Sequence, residues 1–263
     1  MTESSAMKNI IMDVNPGDAE YSANRCEVCG EERLLRYKEW EGEYLIYRCS
    51  CELEREKEKV LRRKEEERKE RIKKLFNQSK LGKRFSQCSL ENFEVVEGVE
   101  KAFRAIKKFI DSFPPPGGEG LVLYGPPGGG KTHLSAACAR ELLEREYAVI
   151  FEQSAELMYR FNRTYISREE SEDEIMQALI SADLLILDDL EKGKWTDKVE
   201  ERMYVIVNGR YRDMKPLILT TNLNPPELEN LVGRAIFDRL REMVTFVPLV
   251  TTSFRKKEVH NER

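Results

Sequence analysis

Long apolar stretches are missing from this sequence. Apolar residues make up 40% of the chain and charged residues 35%, and no apolar run approaches the ~18–20 residues of a membrane span. The first 25 residues also lack a basic start followed by an apolar segment, so no signal peptide is recognisable. We therefore expect a soluble, cytoplasmic protein with no membrane partner.

A surplus of positive charge is missing as well. Lys and Arg number 44 against 48 Asp and Glu, which gives a formal net charge of −4. This balance argues against a uniformly basic surface for nucleic acid, but it does not exclude local basic patches. The six cysteines, in a chain expected to be cytoplasmic, favour metal ligands or plain core positions over disulfides.

The most specific motif is a glycine-rich loop at residues 125–132. It reads Gly-Pro-Pro-Gly-Gly-Gly-Lys-Thr and fits the phosphate-loop pattern G-x-x-x-x-G-K-[ST] at every fixed position. The apolar run at 120–124 is typical of a buried strand, and residues 133–143 are typical of a helix. Glycines let backbone N–H groups turn toward a phosphate, and the helix N-terminus adds donors with partial positive charge. A nucleoside triphosphate site is therefore predicted, with an ordinary glycine-rich turn as the alternative.

Individual residues of this loop have predicted roles. The Lys131 ammonium can reach the β- and γ-phosphates, and the Thr132 hydroxyl can ligate Mg²⁺. The residues expected to contact ATP are Gly125, Pro126, Pro127, Gly128, Gly129, Gly130, Lys131, Thr132 and His133.

Two adjacent carboxylates, Asp188 and Asp189, follow a second apolar run at 184–187. An isolated Asp-Asp pair after a strand is more often a turn or a helix cap. Downstream of a phosphate loop, however, such an acid holds Mg²⁺, so Asp188 is the predicted ligand beside Thr132. Asp189 is placed to orient or deprotonate the attacking water.

Other polar residues follow later apolar runs. Thr-Thr-Asn at 220–222 places the Asn222 amide where it could position the water or touch the γ-phosphate, although a turn is the simpler interpretation. Residues 233–241 predict a short helix with arginines at 234, 239 and 241. Spacing alone does not identify any of them as an arginine finger.

Four cysteines form two close pairs near the N-terminus. Cys26 and Cys29 stand in a C-x-x-C arrangement, and Cys49 and Cys51 in a C-x-C arrangement. The runs at 33–38 and 43–48 predict a β-hairpin, whose ends would bring the two pairs together. Four thiolates suit a structural Zn²⁺ in a closed tetrahedral site, with a redox pair or free thiols as alternatives.

Glu, Lys and Arg dominate residues 53–84. From Glu52 to Arg84 fourteen Lys and Arg stand against eight Glu, a net charge of +6, and these residue types are good helix formers. A solvated connecting helix is the simplest interpretation. A basic surface for nucleic acid or an acidic partner is the other.

Strand and helix patterns alternate beyond residue 85. This alternation predicts a parallel sheet flanked by helices, with ligands at the carboxyl ends of the strands. We therefore expect an α/β phosphate-loop NTPase fold preceded by a small zinc-binding β-hairpin module and a charged linker helix. The predicted boundaries are a disordered N-terminus at 1–25, the zinc module at 26–52, the linker at 53–84 and the nucleotide domain at 85–263.

Seven motifs resemble one family. They are Ser-Leu-Glu-Asn-Phe at 89–93, Gly-Pro-Pro-Gly-Gly-Gly-Lys-Thr-His-Leu at 125–134, Ala-Asp-Leu-Leu-Ile-Leu-Asp-Asp-Leu at 182–190, Val-Asn-Gly-Arg-Tyr at 207–211, Lys-Pro-Leu-Ile-Leu-Thr-Thr-Asn at 215–222, Arg-Leu-Arg at 239–241 and Ser-Phe-Arg at 253–255. Together they resemble the AAA+ ATPases of the DnaC/DnaI type, which load the replicative helicase. The resemblance covers about residues 26–255.

The resemblance implies roles for single residues. Asp188 and Asp189 correspond to the Walker B pair, and Asn222 to sensor 1. Arg239 is similar to the arginine finger that reaches a neighbouring subunit's ATP, and Arg255 to the sensor 2 arginine.

The chain departs from the family pattern in three places. Asp189 replaces the glutamate of many relatives, which is compatible with slow, switch-like hydrolysis. The segment from Arg234 to Arg239 is one residue longer than in some relatives, so Arg234 stays a second finger candidate. About 30 residues follow Gly233, too few for a full helical lid domain.

The resemblance implies an ATP-dependent loader of a hexameric replicative helicase. In that role the zinc module docks on the helicase, the ATPase domains self-associate through their ATP sites, and they contact single-stranded DNA. The candidate DNA contacts are Tyr159, Phe161, Arg163 and Tyr165, for which core packing is the simpler interpretation. Alternatives are a transposition helper ATPase of the IstB type and a non-hydrolysing ATP-binding zinc adaptor; a small-molecule phosphoryl transferase fits less well.

Overall fold

The computed structural model describes residues 25–31, 35–38, 43–46, 49–76, 85–165 and 170–250, with backbone alone over the two short segments 35–38 and 43–46. These residues form two compact units, which divide the chain between Glu67 and Arg68. Residues 1–24, most of the predicted disordered N-terminus, lie outside the described residues. In the described part of the chain, no helix is both long and apolar enough to cross a membrane.

The first unit contains a two-stranded antiparallel hairpin. Strand β1 (Leu35–Lys38) pairs with β2 (Glu43–Ile46), with Leu35 opposite Ile46. Helix α1 (Ser50–Phe76) begins in this unit. Its exposed surface carries i,i+4 ion pairs such as Arg62–Glu66, whose atoms lie 3.4 Å apart. The predicted hairpin and charged helix are both present.

The second unit is built on a five-stranded parallel sheet. The strands, in chain order, are β3 (Gly120–Tyr124), β4 (Val149–Gln153), β5 (Leu184–Asp188), β6 (Leu217–Thr221) and β7 (Val244–Pro248). Their spatial order is β4-β5-β6-β3-β7, and every neighbouring pair is parallel. The phosphate-loop strand β3 therefore lies between β6 and β7, with its carboxyl end beside theirs.

Helices surround this sheet. They are α2 (Glu100–Asp111), α3 (Lys131–Glu144), α4 (Ser154–Arg163), α5 (Glu172–Ser181), α6 (Asp197–Arg212), α7 (Pro225–Val232) and α8 (Arg234–Met243). Helices α2 and α3 contribute to the apolar core on one side of the sheet, and helices α4 to α8 contribute to the core on the other. The predicted α/β arrangement is confirmed.

The sequence of β5 shows that the sheet is covered by apolar side chains on both faces. All five residues of β5 are buried, and successive side chains point to opposite faces. Leu185 and Leu187 belong to one apolar cluster, whereas Leu184 and Ile186 belong to the other. A continuous apolar run is the sequence pattern that a doubly covered parallel strand requires.

The last turns of α1, from Arg68 onward, belong to the second unit. Ile72 and Phe76 are 1% and 6% exposed and belong to its core. The Arg160 guanidinium lies 4.3 Å from the Phe76 ring centroid and donates to the Leu75 carbonyl at 2.6 Å. Arg68 forms an ion pair of 2.7 Å with Asp183. These turns differ from the predicted solvated linker, because Ile72, Leu75 and Phe76 place three apolar side chains within five residues.

Helices α6 and α7 are absent from the sequence-based predictions. α6 is capped by the Thr196 hydroxyl, which accepts from the Val199 N–H at 3.4 Å. α7 begins at two prolines, and Asn224 with Glu227 forms a reciprocal capping box at its start. The Asn-Pro-Pro-Glu pattern at 224–227 was the signal that could have located α7.

Candidate nucleotide site and thiol cluster

The phosphate loop joins β3 to α3 through glycines in the left-handed backbone region. Gly128 and Gly130 have φ of 81° and 89°, and Gly130 is the N-cap of α3. Gly125 has φ of 143°, and its N–H donates to the Thr221 carbonyl at 3.3 Å. A Cβ at Gly125 would lie 2.1 Å from the Leu249 carbonyl oxygen. The start of the loop is thus hydrogen-bonded to the end of β6 and lies close to the residue that follows β7.

Lys131 is buried at the first turn of α3, with 5% exposure. Its Nζ donates to the Gly125 carbonyl at 2.7 Å and to the Pro126 carbonyl at 3.0 Å. It also donates to Asn222 Oδ1 at 2.7 Å. Lys131 and Asn222, which are 91 residues apart in the chain, are therefore in direct contact.

Thr132 and Asp188 form the second contact of the site. The Thr132 hydroxyl lies 2.9 and 3.0 Å from the two Asp188 carboxylate oxygens, and the Thr220 hydroxyl donates to the same carboxylate at 2.6 Å. Asp188 is 1% exposed, and its burial raises the pKa of its carboxyl. Adjacent hydroxyl and carboxylate oxygens are the donor set that Mg²⁺ prefers. The residues predicted to hold Mg²⁺ thus lie side by side.

Asp189 occupies the turn immediately after β5. Its φ of 52° is a left-handed conformation, which Asp tolerates better than most residues. The Asp189 N–H donates to the Thr220 hydroxyl at 2.9 Å, and the Leu190 N–H donates to the Thr220 carbonyl at 2.9 Å. The backbone after β5 is therefore held against the end of β6.

Glu191 completes this group, and sequence reasoning missed it. Its carboxylate accepts hydrogen bonds from the Thr221 hydroxyl, at 2.8 Å, and from Asn222 Nδ2. A lone glutamate in a charged loop gives no signal in the sequence. Its role depends on β6 lying beside β5, a strand order that the sequence alone does not give.

His133 contacts protein groups on the other side of the loop. Its Nε2 lies 3.0 Å from the Ser89 carbonyl oxygen and 2.9 Å from Asn92 Oδ1. The Phe93 ring packs against the imidazole in an edge-on arrangement, with centroids 5.2 Å apart. His133 therefore connects the segment at 89–93 to α3.

The predicted arginine finger is engaged within its own chain. Arg239 Nε donates to Asn208 Oδ1 at 2.7 Å, one terminal nitrogen donates to the Tyr204 hydroxyl at 3.0 Å, and the guanidinium lies 4.8 Å from the Tyr204 ring centroid. The Arg234 side chain is 87% exposed and lies 3.7 Å from Asp238. Arg255 lies outside the described residues.

The four candidate DNA contacts on and after α4 differ in how exposed their side chains are. Phe161 is fully buried in the core, whereas Tyr159 and Tyr165 are 68% and 59% exposed. Lys198 Nζ lies 4.1 Å from the Tyr165 ring centroid. Arg163, at the end of the helix, is exposed.

A second candidate site lies in the first unit, where the Sγ atoms of Cys26, Cys29, Cys49 and Cys51 all lie within 4.8 Å of one another. The Cys26–Cys51 and Cys49–Cys51 sulfur distances are 3.4 and 3.2 Å. Sulfurs bound tetrahedrally at ~2.3 Å from zinc are about 3.8 Å apart. The cluster is therefore compatible with zinc.

Local backbone structure brings these thiols together. The Cys26 carbonyl accepts from the Gly30 N–H at 2.8 Å in a tight turn, and Gly30 has φ of 71°. The Glu31 carboxylate accepts from the N–H and hydroxyl of Ser50, at 2.8 and 2.9 Å, and so connects the two cysteine pairs. Hydrogen bonds from the backbone N–H groups of Cys29 and Val28 lower the pKa of the Cys26 thiol to about 6. A thiolate is the form that a metal binds.

The part of the chain that contains the nucleotide site matches known proteins. Residues 49–262 match the family described as IstB-like ATP binding protein. The chain belongs to this family. It is 30% identical over 183 residues to the replicative helicase loader DnaC of Escherichia coli K12, covering 67% of this chain and 72% of DnaC. It is also 28% identical over 250 residues to the phage-like element PBSX protein XkdC of Bacillus subtilis, covering 87% and 82% of the two chains.

Solved structures give the same fold. The crystal structure of the DnaC helicase loader superposes with a TM-score of 0.56 at 24% identity, covering 64% of this chain and 100% of that one. The replication initiator DnaA bound to AMPPCP and single-stranded DNA superposes with a TM-score of 0.55 at 26% identity, covering 63% and 50%. This IstB-like protein therefore carries an AAA+ ATPase domain of the DnaC/DnaI type, as its motifs predicted.

Proposed function

We propose that this IstB-like protein is an ATP-dependent loader of a replicative DNA helicase. One observation carries the proposal: the chain is 30% identical to a replicative helicase loader over 67% of its length. The contacts among Lys131, Thr132, Asp188 and Asn222 support ATP as the ligand. Loading then consists of holding the helicase in an ATP-dependent complex and releasing it after hydrolysis to ADP and phosphate.

At the ATP site, the loop at 125–132 receives the phosphates on its backbone N–H groups. Lys131 exchanges its hydrogen bonds to the Gly125 and Pro126 carbonyls for phosphate oxygens. Thr132 and Asp188 hold Mg²⁺, which offsets the charge of the β- and γ-phosphates when bound. Asp189 orients the attacking water, and its short side chain favours slow turnover.

Self-association through neighbouring ATP sites is proposed from the resemblance of Arg239 to an arginine finger. An arginine that reaches a neighbour's γ-phosphate raises turnover by roughly 10³–10⁵ in NTPases that use one. In this chain the arginine must first leave Asn208 and Tyr204, to which it donates. The exposed Arg234 is the second candidate for the same role.

Single-stranded DNA is the proposed nucleic-acid ligand. The exposed rings of Tyr159 and Tyr165 offer stacking surfaces, Lys198 lies against the Tyr165 ring, and the exposed Arg163 is the last residue of α4. Stacking on exposed aromatics with nearby cations is the mode that single strands use without sequence preference. Phe161 is excluded from this role because its ring is fully buried.

The thiol cluster is proposed to hold one structural Zn²⁺ through Cys26, Cys29, Cys49 and Cys51. Four protein ligands leave no position for a substrate, so the metal stabilises the shape of the N-terminal unit. We assign to this unit the docking of the helicase. A unit of this size buries too little apolar surface to fold without such a centre.

Transposition is the second candidate role, since residues 49–262 match the IstB-like family. A protein of that type would assist a transposase. A pull-down of the full-length chain from its host, with a slowly hydrolysed ATP analogue present, separates the two roles. Recovery of a hexameric helicase is expected, and recovery of a transposase instead would reject the loader.

The Lys131→Ala variant is the nucleotide control in that pull-down. Loss of the ammonium that contacts the Gly125 and Pro126 carbonyls should abolish ATP binding and the ATP-dependent capture of the helicase. Lys107→Ala, at an exposed position of α2, is the matched control. Tight ATP binding by Lys131→Ala would remove the basis of the assignment.

A further inference from the structure

Glu191 lies where two strands and the phosphate loop meet, yet no motif includes it. Its carboxylate bridges the ends of β5 and β6 by accepting from the Thr221 hydroxyl and from Asn222 Nδ2. Asn222 Oδ1 in turn accepts from Lys131 Nζ at 2.7 Å. A continuous chain of hydrogen bonds therefore runs from Glu191 through the Asn222 amide to Lys131.

The charges on either side fix the orientation of that amide. An amide can donate only through its nitrogen and accept only through its oxygen. Rotation of the Asn222 amide by half a turn would place its NH₂ against the Lys131 ammonium and its oxygen against the Glu191 carboxylate. Both contacts would be repulsive, so Glu191 and Lys131 select the same orientation.

Glu191 is not required to hold the backbone at this point. The Leu190 N–H donates to the Thr220 carbonyl and the Asp189 N–H to the Thr220 hydroxyl, both at 2.9 Å. These bonds attach the turn after β5 to β6, and the Glu191 side chain takes no part in them. The two hydrogen bonds of its carboxylate therefore act on the side chains of Thr221 and Asn222.

We propose that Glu191 is a positioning residue for ATP hydrolysis, an inference that depends on the proposed ATPase function. When Lys131 turns to the phosphates, Glu191 keeps the Asn222 amide oriented with Oδ1 toward the reacting γ-phosphate. Oδ1 can then accept a hydrogen bond from the attacking water. Without Glu191 the amide samples both orientations, and turnover falls while ATP affinity is preserved.

The test compares phosphate release at saturating ATP, with single-stranded DNA and helicase present, with the affinity for a fluorescent ATP analogue. Glu191→Ala should lower kcat by about 10–100-fold, the scale of a misplaced reacting group, and change the affinity less than threefold. Glu191→Gln should keep most of the activity, because its carbonyl can accept from Asn222 and its amide can donate to the Thr221 hydroxyl. The exposed Glu201→Ala is the matched control.

A double variant shows whether Glu191 acts through Asn222. In the Asn222→Ala background, Glu191→Ala should cause no further loss of kcat. Losses that multiply would overturn the positioning role. Equal inactivity of Glu191→Gln and Glu191→Ala would overturn it too, since a carboxylate would then be needed for its charge or as a base.

Failure of the ATPase proposal itself is visible in the wild-type protein. If that protein binds the ATP analogue but releases no phosphate, hydrolysis is rejected. The wild-type protein, Glu191→Ala, Glu191→Gln and Glu201→Ala are then compared by their affinity for ADP with aluminium fluoride, a mimic of the transferring phosphoryl group. Weaker binding of the mimic by Glu191→Ala, with ADP affinity unchanged, would then support only the positioning of Asn222 at the γ-phosphate site, and equal affinities would overturn that positioning.

Discussion

The Asp188 carboxylate is surrounded by hydroxyl groups in a position with 1% exposure. Burial raises the pKa of this carboxyl above its ordinary value, since the ionised form loses hydration. A raised folded-state pKa means that Asp188 favours folding most below the ordinary pKa. That contribution is lost as the pH rises through the raised value. At neutral pH the carboxylate therefore costs stability, and its retention fits a ligand for a cation.

Replacing Asp188 with Asn should separate stability from function. Without Mg²⁺ at neutral pH, Asp188→Asn should raise the free energy of unfolding by roughly 0.5–2 kcal/mol, the usual range for a stabilising substitution. The neutral amide oxygen can still accept from Thr132 and Thr220. Mg²⁺-dependent turnover should disappear. Urea unfolding measures the first effect, with the exposed Asp111→Asn as control, and a destabilised variant would contradict the argument.

At this scale the sequence predicted the residues that belong to local motifs. Lys131, Thr132, Asp188 and Asn222 could be found because each follows a strand or loop pattern that reveals its place. Glu191 could not be found, because its partners come from another strand. The same reason hid the contacts of Arg239, whose partners lie on α6, a helix that the sequence did not reveal.

Helix α1 shows how one element can have two environments. Most of its side chains are exposed, whereas Ile72 and Phe76 in its last turns are buried. Ile72 and Phe76 lie one turn apart and face the same side of the helix, so they pack together in the core of the second unit. Burial in this helix is decided by two side chains, which is too few for a periodic pattern.

Two alanine variants of α1 should differ strongly in stability. Ile72→Ala removes a side chain with 1% exposure and should cost about 2–5 kcal/mol in the free energy of unfolding. Leu61→Ala, at a position with 65% exposure in the same helix, should change it by no more than about 0.5 kcal/mol. Denaturant unfolding of both variants measures the difference. Similar values would mean that the last turns do not contribute to the core.

On the scale of the whole molecule, the strand order could be anticipated only as a class. Alternating strands and helices predicted a parallel sheet, but not that β3 lies between β6 and β7. That order brings Asn222 to the phosphate loop and Glu191 to Asn222. The domain boundaries stay a prediction, and the division between Glu67 and Arg68 suggests where to test them.

Two truncations should behave differently. A fragment that starts at Arg68 keeps Ile72 and Phe76 and should fold and bind ATP, but it should not bind the helicase. A fragment that starts at residue 81 loses both side chains and should unfold at a lower temperature. Thermal unfolding and a helicase pull-down test both expectations. Full helicase binding by the fragment from Arg68 would refute the docking role of the N-terminal unit.

Metal analysis of the intact protein should find about one zinc ion per chain, as a four-thiolate site requires. Replacing Cys26 and Cys29 with Ser should abolish this content, because two ligands cannot retain a structural metal. Cys88→Ala, at a buried cysteine outside the cluster, is the control and should keep the zinc. A full zinc content in the double variant would exclude the site.

The close approach of Gly125 to the Leu249 carbonyl affects how sequence variation at this loop is interpreted. Any side chain there would collide with the backbone at 2.1 Å, so the position is under selection for folding itself. In a library of random substitutions, variants that replace Gly125 should be depleted even when survival requires only a folded chain. Invariance of this glycine among descendants would thus be no proof that they still use ATP, whereas loss of Lys131 would mark a chain that has abandoned it.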